Sequence, residues 1–301
     1  MLFVALSAAA VLQGLPAQGA PADDAADRIS ALIEQMGRSP MDGMRAHDKL
    51  VRIGKPAVPA LIKAAGDRTA LRRMWAISAL CTIGDTRAAR VALDHFADPD
   101  ATTRHVAIYH SRRFVRRDEG VASALVALVG SKDPGRAQWA IEGLGRARYE
   151  PALKAIRGAA ANPNGKVRWR MMDAVERIDG AGSIPFFVER LRKDSEPALR
   201  RKALACLGRA GVKDQRVLGA FVGALRDRSA EVRMAAGRGL QMLTDNALDL
   251  IPGEDVSRDE ATAAVKWWLA NRDRYPPVGK PKPTTPAPGN GAGPDGKRAP
   301  E

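Results

Sequence analysis

The residues of this chain best suited to chemistry are arginines. Five of them fall within fourteen positions: Arg104, Arg112, Arg113, Arg116 and Arg117, with Tyr109 among them. A guanidinium is planar, permanently charged and presents paired donors, so the cluster suits a phosphate, a sulfate or a carboxylate. His105 and His110 also fall here. On a helix, residues five apart point about 140° from one another, which disfavours a shared metal. The recognisable catalytic patterns are missing: there is no G-x-S-x-G elbow, P-loop, H-E-x-x-H or C-x-x-C. The sequence therefore predicts no catalytic residue, no cofactor and no metal site. The two cysteines, Cys81 and Cys206, stand far apart along the chain, and no bridge between them is expected.

The elements that must position these arginines are helices in a repeating array. Ala46, Leu50 and Ile53 are spaced i, i+4, i+7, and so are Ala76, Leu80 and Ile83. Matching segments begin at Ala107, Ala140, Met171, Ala203 and Ala236, so the anchors step by 30, 31, 33, 31, 32 and 33 residues. Each set falls on one helical face. A near-constant period of this size marks a stacked helical repeat, in which each hairpin buries its stripe only against its neighbours. Further apolar helices precede the anchors at 58–65, 120–129 and 184–191, several opened by proline, which is tolerated in a first turn. Gly54, Gly84 and Gly211 suit left-handed C-terminal caps.

A second phase runs through the repeats. Asp67, Asp98, Asn162, Asp194 and Asp227 stand nine residues before the anchors, and Arg73, Arg104, Arg168, Arg200 and Arg233 three before them. In the fourth repeat Asp133 and Arg136 are shifted. The segment from Ile53 to Ile62, followed by Asp67 and Arg73, resembles HEAT repeats of the short, phycobilin-lyase-like class. The resemblance covers about residues 25 to 245. It implies an all-α fold, a right-handed α-solenoid of about seven helical hairpins. It also implies that the Asp and Arg positions form a structural hydrogen-bonded ladder between repeats. It says little of function, which resides in a site grafted onto such a fold. The paired His-Glu dipeptides of HEAT-like metal hydroxylases are missing from this chain.

Six residues after the anchors stand Arg52, Thr82, Arg113, Arg146, Arg177, Arg209 and Met242, a stripe with five arginines. Asp48, Glu142 and Asp173 precede Arg52, Arg146 and Arg177 by four residues and predict ordinary i, i+4 ion pairs. Arg113 and Arg209 have no such neighbour. Trp75, Trp139 and Trp169 read as packing between repeats, with base stacking as the alternative. The third anchor helix, read from Arg104 to Arg117, is irregular, because Ser111 replaces the usual Leu.

The ends differ from the array. Residues 2–15 are apolar and small residues follow, the pattern of a secretory signal peptide ending near residue 22. Its n-region lacks Lys and Arg, and the alternative is a buried first helix of a cytosolic array. Residues 23–245 form the repeats, and 246–275 a capping segment. In that segment Ser257 and Glu260 make a capping box before a helix carrying Trp267 and Trp268. Residues 276–301 are rich in Pro and Gly and read as a disordered tail.

The net charge is +14, with 48 Lys and Arg against 34 Asp and Glu, which favours acidic partners. The sequence-level expectation is an exported, monomeric, non-catalytic scaffold. It presents a concave basic groove to a protein partner, an acidic one, held on Arg104, Tyr109, Arg112, Arg113, Arg116, Arg117, Arg146, Arg177 and Arg209, with no membrane span after cleavage. A polyanion or nucleic-acid binder is the alternative, nucleic acid being disfavoured by export. A lyase-type enzyme is the remote one.

Overall fold

The apolar spacing of 3.6 residues is realised as helix. The computed structural model describes residues 22–248, 250 and 254–276. The apolar N-terminal stretch and the Pro/Gly-rich tail both lie outside the described residues, apart from the boundary positions Ala22 and Pro276. Among the described residues there are fifteen α-helices and no strand. Fourteen of them follow one another as seven successive pairs: α1 (Ala22–Met36) with α2 (Pro40–Ile53), α3 (Val58–Ala65) with α4 (Ala70–Ile83), α5 (Arg87–Asp94) with α6 (Ala101–His110), α7 (Glu119–Val129) with α8 (Pro134–Arg146), α9 (Leu153–Gly158) with α10 (Gly165–Asp179), α11 (Ile184–Lys193) with α12 (Pro197–Arg209), and α13 (Gln215–Ala224) with α14 (Ala230–Leu243). A fifteenth helix, α15 (Arg258–Asn271), follows.

The chain folds as two units, one ending at Ala107 and one beginning at Ile108, so the division falls inside α6. In the first unit α1 packs on α2 and α3, and α2 packs on α4. In the second unit the second helices stack in series, α8 on α10, α10 on α12 and α12 on α14. The first helices do the same, with α7 against α9 and α11 against α13. All seven anchors are fully buried, as are the residues four further on: Leu50, Leu80, Ser111, Leu144, Val175, Leu207 and Leu240. Each buried leucine contributes about 1.5–3 kcal/mol of hydrophobic stabilisation.

Small residues set how closely the helices approach. A Cβ at Gly145 of α8 would stand 2.7 Å from the Cβ and 2.8 Å from the Cα of Ala174 in α10. Gly54, which ends α2 at φ 74° and ψ −135°, occupies a region that only glycine enters freely. After α14 the stack is closed by α15, which packs on α13 and is opened by the Ser257–Glu260 capping box. Ala261 and Ala264 are buried there, and Trp268 lies over Gly219.

The third second-helix is shorter than its sequence spacing predicts. Helix α6 stops at His110, Ser111–Arg113 tighten into a 3-10 turn, and Phe114–Arg117 leave the helix altogether. The cause is local. The Ser111 hydroxyl, fully buried, donates to the Ile108 carbonyl at 2.8 Å, a bond that competes with helix propagation. Phe114 and Val115 then turn into the core, and Asp118 caps α7 by accepting from the Val121 N–H.

Candidate interaction surface

The second helices carry arginines at their starts and on their outer faces, and the two groups are held differently. At the starts, a pattern recurs through the phase of the repeat. Arg73, Arg104, Arg168, Arg200 and Arg233 each donate to the carbonyl six residues earlier, that of Asp67, Asp98, Asn162, Asp194 and Asp227. Four of them also reach an acid of the next element: Arg73 to Asp98, Arg168 to Asp194, Arg200 to Asp227 and Arg233 to Asp255. The acids in turn fix their own loops, since Asp98, Asp194 and Asp227 accept the N–H two residues on. Burial opposes the charge of Asp98 and Asp227. The guanidinium facing each and the turn N–H outweigh it and hold both carboxyls below the ordinary value. Asp133 does not take the ladder position: it caps α8 through the Gly135 and Arg136 N–H groups.

The outer faces of the second unit carry aromatic and cationic side chains in alternation. The Arg112 guanidinium lies 4.0 Å above the Tyr109 ring, and that of Arg146 lies 5.6 Å from it. Tyr109 meets Trp139 of α8 edge-on at 6.3 Å, and Arg170 of α10 lies 5.9 Å from the Trp139 ring. Further along, Lys202 of α12 sits 4.0 Å above the ring of Trp169. Such contacts are worth about 0.5–1 kcal/mol each where solvated. Beneath them lie the acids. Glu142 pairs with both Arg146 and Arg170, Asp173 with Lys202, and Glu176 with Arg209 through two short bonds of 2.7 and 2.8 Å. The Glu142 side chain is 6% exposed, whereas Arg146 is 46% and Arg170 36% exposed. In the Glu142 and Glu176 pairs the acid is sunk and the cation raised, so these pairs present positive charge to solvent, whereas Lys202 is buried beside the more exposed Asp173.

A family model describing HEAT repeats matches residues 121–203 and again 184–268, both within the second unit. The chain is a HEAT-repeat protein. The chain is similar to several solved structures at low identity. Escherichia coli YibA is 19% identical over 78% of this chain and 90% of its own, with a TM-score of 0.51. The complex of CpcE and CpcF of phycocyanin lyase from Nostoc sp. PCC7120 is 19% identical over 86% of this chain and 98% of its own, with a TM-score of 0.42. Human deoxyhypusine hydroxylase in complex with glycerol is 17% identical over 81% and 96%, with a TM-score of 0.36. At these identities the likeness speaks of fold alone. No curated protein matches the sequence.

Within this HEAT array, several residues expected at an anionic site make contacts within the fold, and Arg104 does so from its expected place in the ladder. Arg104 holds the Asp98 and Pro99 carbonyls. Arg116 donates to the Ala147 and Arg148 carbonyls, so it caps the C-terminal end of α8, where a cation suits the helix dipole. Arg116 and Arg117 lie in a turn and not on a helix face. Of the three ion pairs predicted at i, i+4, only Glu142–Arg146 forms among the described residues. Asp48 takes His47, and Asp173 takes Lys202 on the next helix. Arg177 is exposed and has no carboxylate partner among the described residues. Arg209, which has no acid on its own helix, is paired across the repeat to Glu176. That guanidinium is drawn upward in pKa by the Glu176 bond, against burial. Arg113 is exposed in the 3-10 turn.

Arg170, Lys202 and Asp255 did not stand out in the sequence, and neither did the cross-helix partners of Glu142 and Asp173. The usable signal was phase: residues two after one anchor meet residues one before the next, as in Tyr109–Trp139, Glu142–Arg170 and Asp173–Lys202. Trp75 packs on α2, where a Cβ at Gly43 would strike its indole nitrogen at 2.1 Å. Trp169 is not packed away and stays 40% exposed. Both cysteines are buried, and burial together with Glu176 pushes the Cys206 thiol up to about 12, far from a reactive thiolate. Among the described residues no cluster of His, Cys, Asp or Glu has the makings of a metal site, and no helix is long and apolar enough to cross a membrane.

Proposed function

We propose that this HEAT-repeat protein is a binding scaffold that holds an acidic protein partner on the outer faces of the second helices of its second unit. The observation that carries this reading is the arrangement of Arg146 and Arg170 above the buried Glu142. A cation fixed by an acid beneath it is pre-organised, and less side-chain entropy is lost when a partner engages it. Arg112, Arg113 and Arg177 extend the positive surface, and Tyr109 and Trp139 supply rigid apolar area. Tyr, Trp and Arg are the residue types that most often dominate interface energetics. The apolar run at residues 2–15 supports export, and the scaffold acts as a monomer in this reading.

The test is affinity capture with the wild-type chain and with a double variant, Arg146→Glu with Arg177→Glu, each eluted through rising salt. A discrete protein that persists to high salt on the wild type and is lost on the variant supports the scaffold. The net charge of +14 favours a second reading, a polyanion binder. Its signature is binding that weakens steeply with salt, because phosphate contacts release counterions. Export is checked separately: N-terminal sequencing of the secreted protein is expected to find a mature terminus between residues 17 and 23, and recovery of the uncleaved chain inside the cell would refute it.

A further inference from the structure

Among the large apolar side chains left exposed in the described residues, Trp169 is the only aromatic one, at 40%. An indole is costly to leave in water, and a helical array offers many places to bury one. Trp169 stands in the first turns of α10 and borders a cleft of about 300 Å³. Gln138 of α8, Lys166 and Arg170 of α10, Glu196 just before α12 and Leu199 within it line the cleft. This is the small end of ligand cavities, which run roughly 300–1,000 Å³.

The charges around the cleft are uneven in their freedom. Glu196 is engaged by the Arg168 guanidinium at 2.8 Å, and its carboxylate lies where a Cβ at Gly165 would stand, 2.3 Å away. Arg170 is anchored to Glu142 from below, and Lys166 is exposed with no carboxylate partner among the described residues. A visiting group therefore meets an apolar floor, an indole edge and two cations whose outward sides are open. Lys202 already covers a face of the ring, which prevents a base from being sandwiched there.

We infer that the Trp169 cleft is the anchor pocket for one apolar side chain of an acidic segment of a partner protein, whose flanking carboxylates engage Lys166 and Arg170. The inference rests on the acidic-partner reading above and adds to it the side chain that sets specificity. Charge alone gives weak, salt-sensitive binding on such a face, whereas burial of an apolar side chain against Trp169 does not fade with salt.

The experiment uses the full chain and two labelled seven-residue peptides of Glu and Asp, one with Leu at its centre and one with Ala, read by fluorescence polarisation at low and moderate salt. A single-stranded oligothymidylate of equal charge is run alongside. The Leu peptide is expected to bind about tenfold more tightly than the Ala peptide, from the apolar area it buries. In Trp169→Ala, and in Ala198→Trp, which fills the cleft from an exposed position, that ratio is expected to fall to about one while weak binding of both peptides persists. Circular dichroism confirms that each variant is folded. Equal binding of the two peptides to the wild type, or an unchanged ratio in both variants, overturns the pocket and leaves the acidic-partner reading standing. Binding of the oligonucleotide but of neither peptide overturns both.

Discussion

The arginines of Arg168 and Arg209 belong to the same stack of helices, make the same bidentate contact with a carboxylate of a neighbouring repeat, and do different things. Arg168 and its partner Asp194 are buried, and the guanidinium also satisfies the Asn162 and Pro163 carbonyls. Arg209 and Glu176 meet at the surface, where water screens the pair and either group can exchange its partner. Ion-pair chemistry alone therefore does not separate a structural arginine from one available to a partner. The discriminating features are burial and the loop carbonyls that a ladder arginine gathers.

The contrast is broken or sharpened by a graded set of substitutions. The largest effect is expected from Arg168→Met, which strands the buried Asp194 carboxylate: a loss of about 3–5 kcal/mol in chemical denaturation. A loss under 1 kcal/mol would place Arg168 with the surface pairs. Next is Gly145→Ala, whose new methyl meets the Ala174 backbone. Over-packing of this kind costs about 1–3 kcal/mol, read as a lowered Tm. Third is pH. Asp98 and Asp227 titrate below the ordinary carboxylate value, so their contribution is complete above that value and is lost as pH falls through the lowered folded pKa. Asp98→Asn with Asp227→Asn is expected to flatten the loss of stability on acidification below about pH 4, and an unchanged slope would remove these acids from the ladder's energetics. The smallest effect is that of Arg209→Ala, about 0.2–1 kcal/mol, in line with solvated pairs. A larger loss would mean that the face is structural after all.

Much of the architecture was legible in advance. Ala46, Ala76, Ala107, Ala140, Met171, Ala203 and Ala236 repeat at a spacing that only helix packing explains, and each proves fully buried. The phase of Asp and Arg likewise points to contacts between neighbouring loops. What escaped was which acid takes which base. Asp173 lies four residues from Arg177 on one helix, yet Lys202 of the next helix claims it. Helical periodicity ranks partners along a helix and says nothing of a lysine brought in by stacking. The early end of α6 escaped for a related reason. The Ser111 hydroxyl satisfies a carbonyl locally, and Phe114 and Val115 find a core that exists only once α7 and α8 are in place.

By itself the sequence determined the helices, their pairing into hairpins and the HEAT-type stacking, because these follow from short-range periodicity and from caps that act within one turn. The tertiary structure alone decided which charges are spent. The stacking of helices sinks Glu142 and raises Arg146, brings Arg116 to the exposed end of α8, and leaves Trp169 in water beside Lys166. Those outcomes depend on distances across repeats, where desolvation and geometry decide between partners that the linear chain presents as equals.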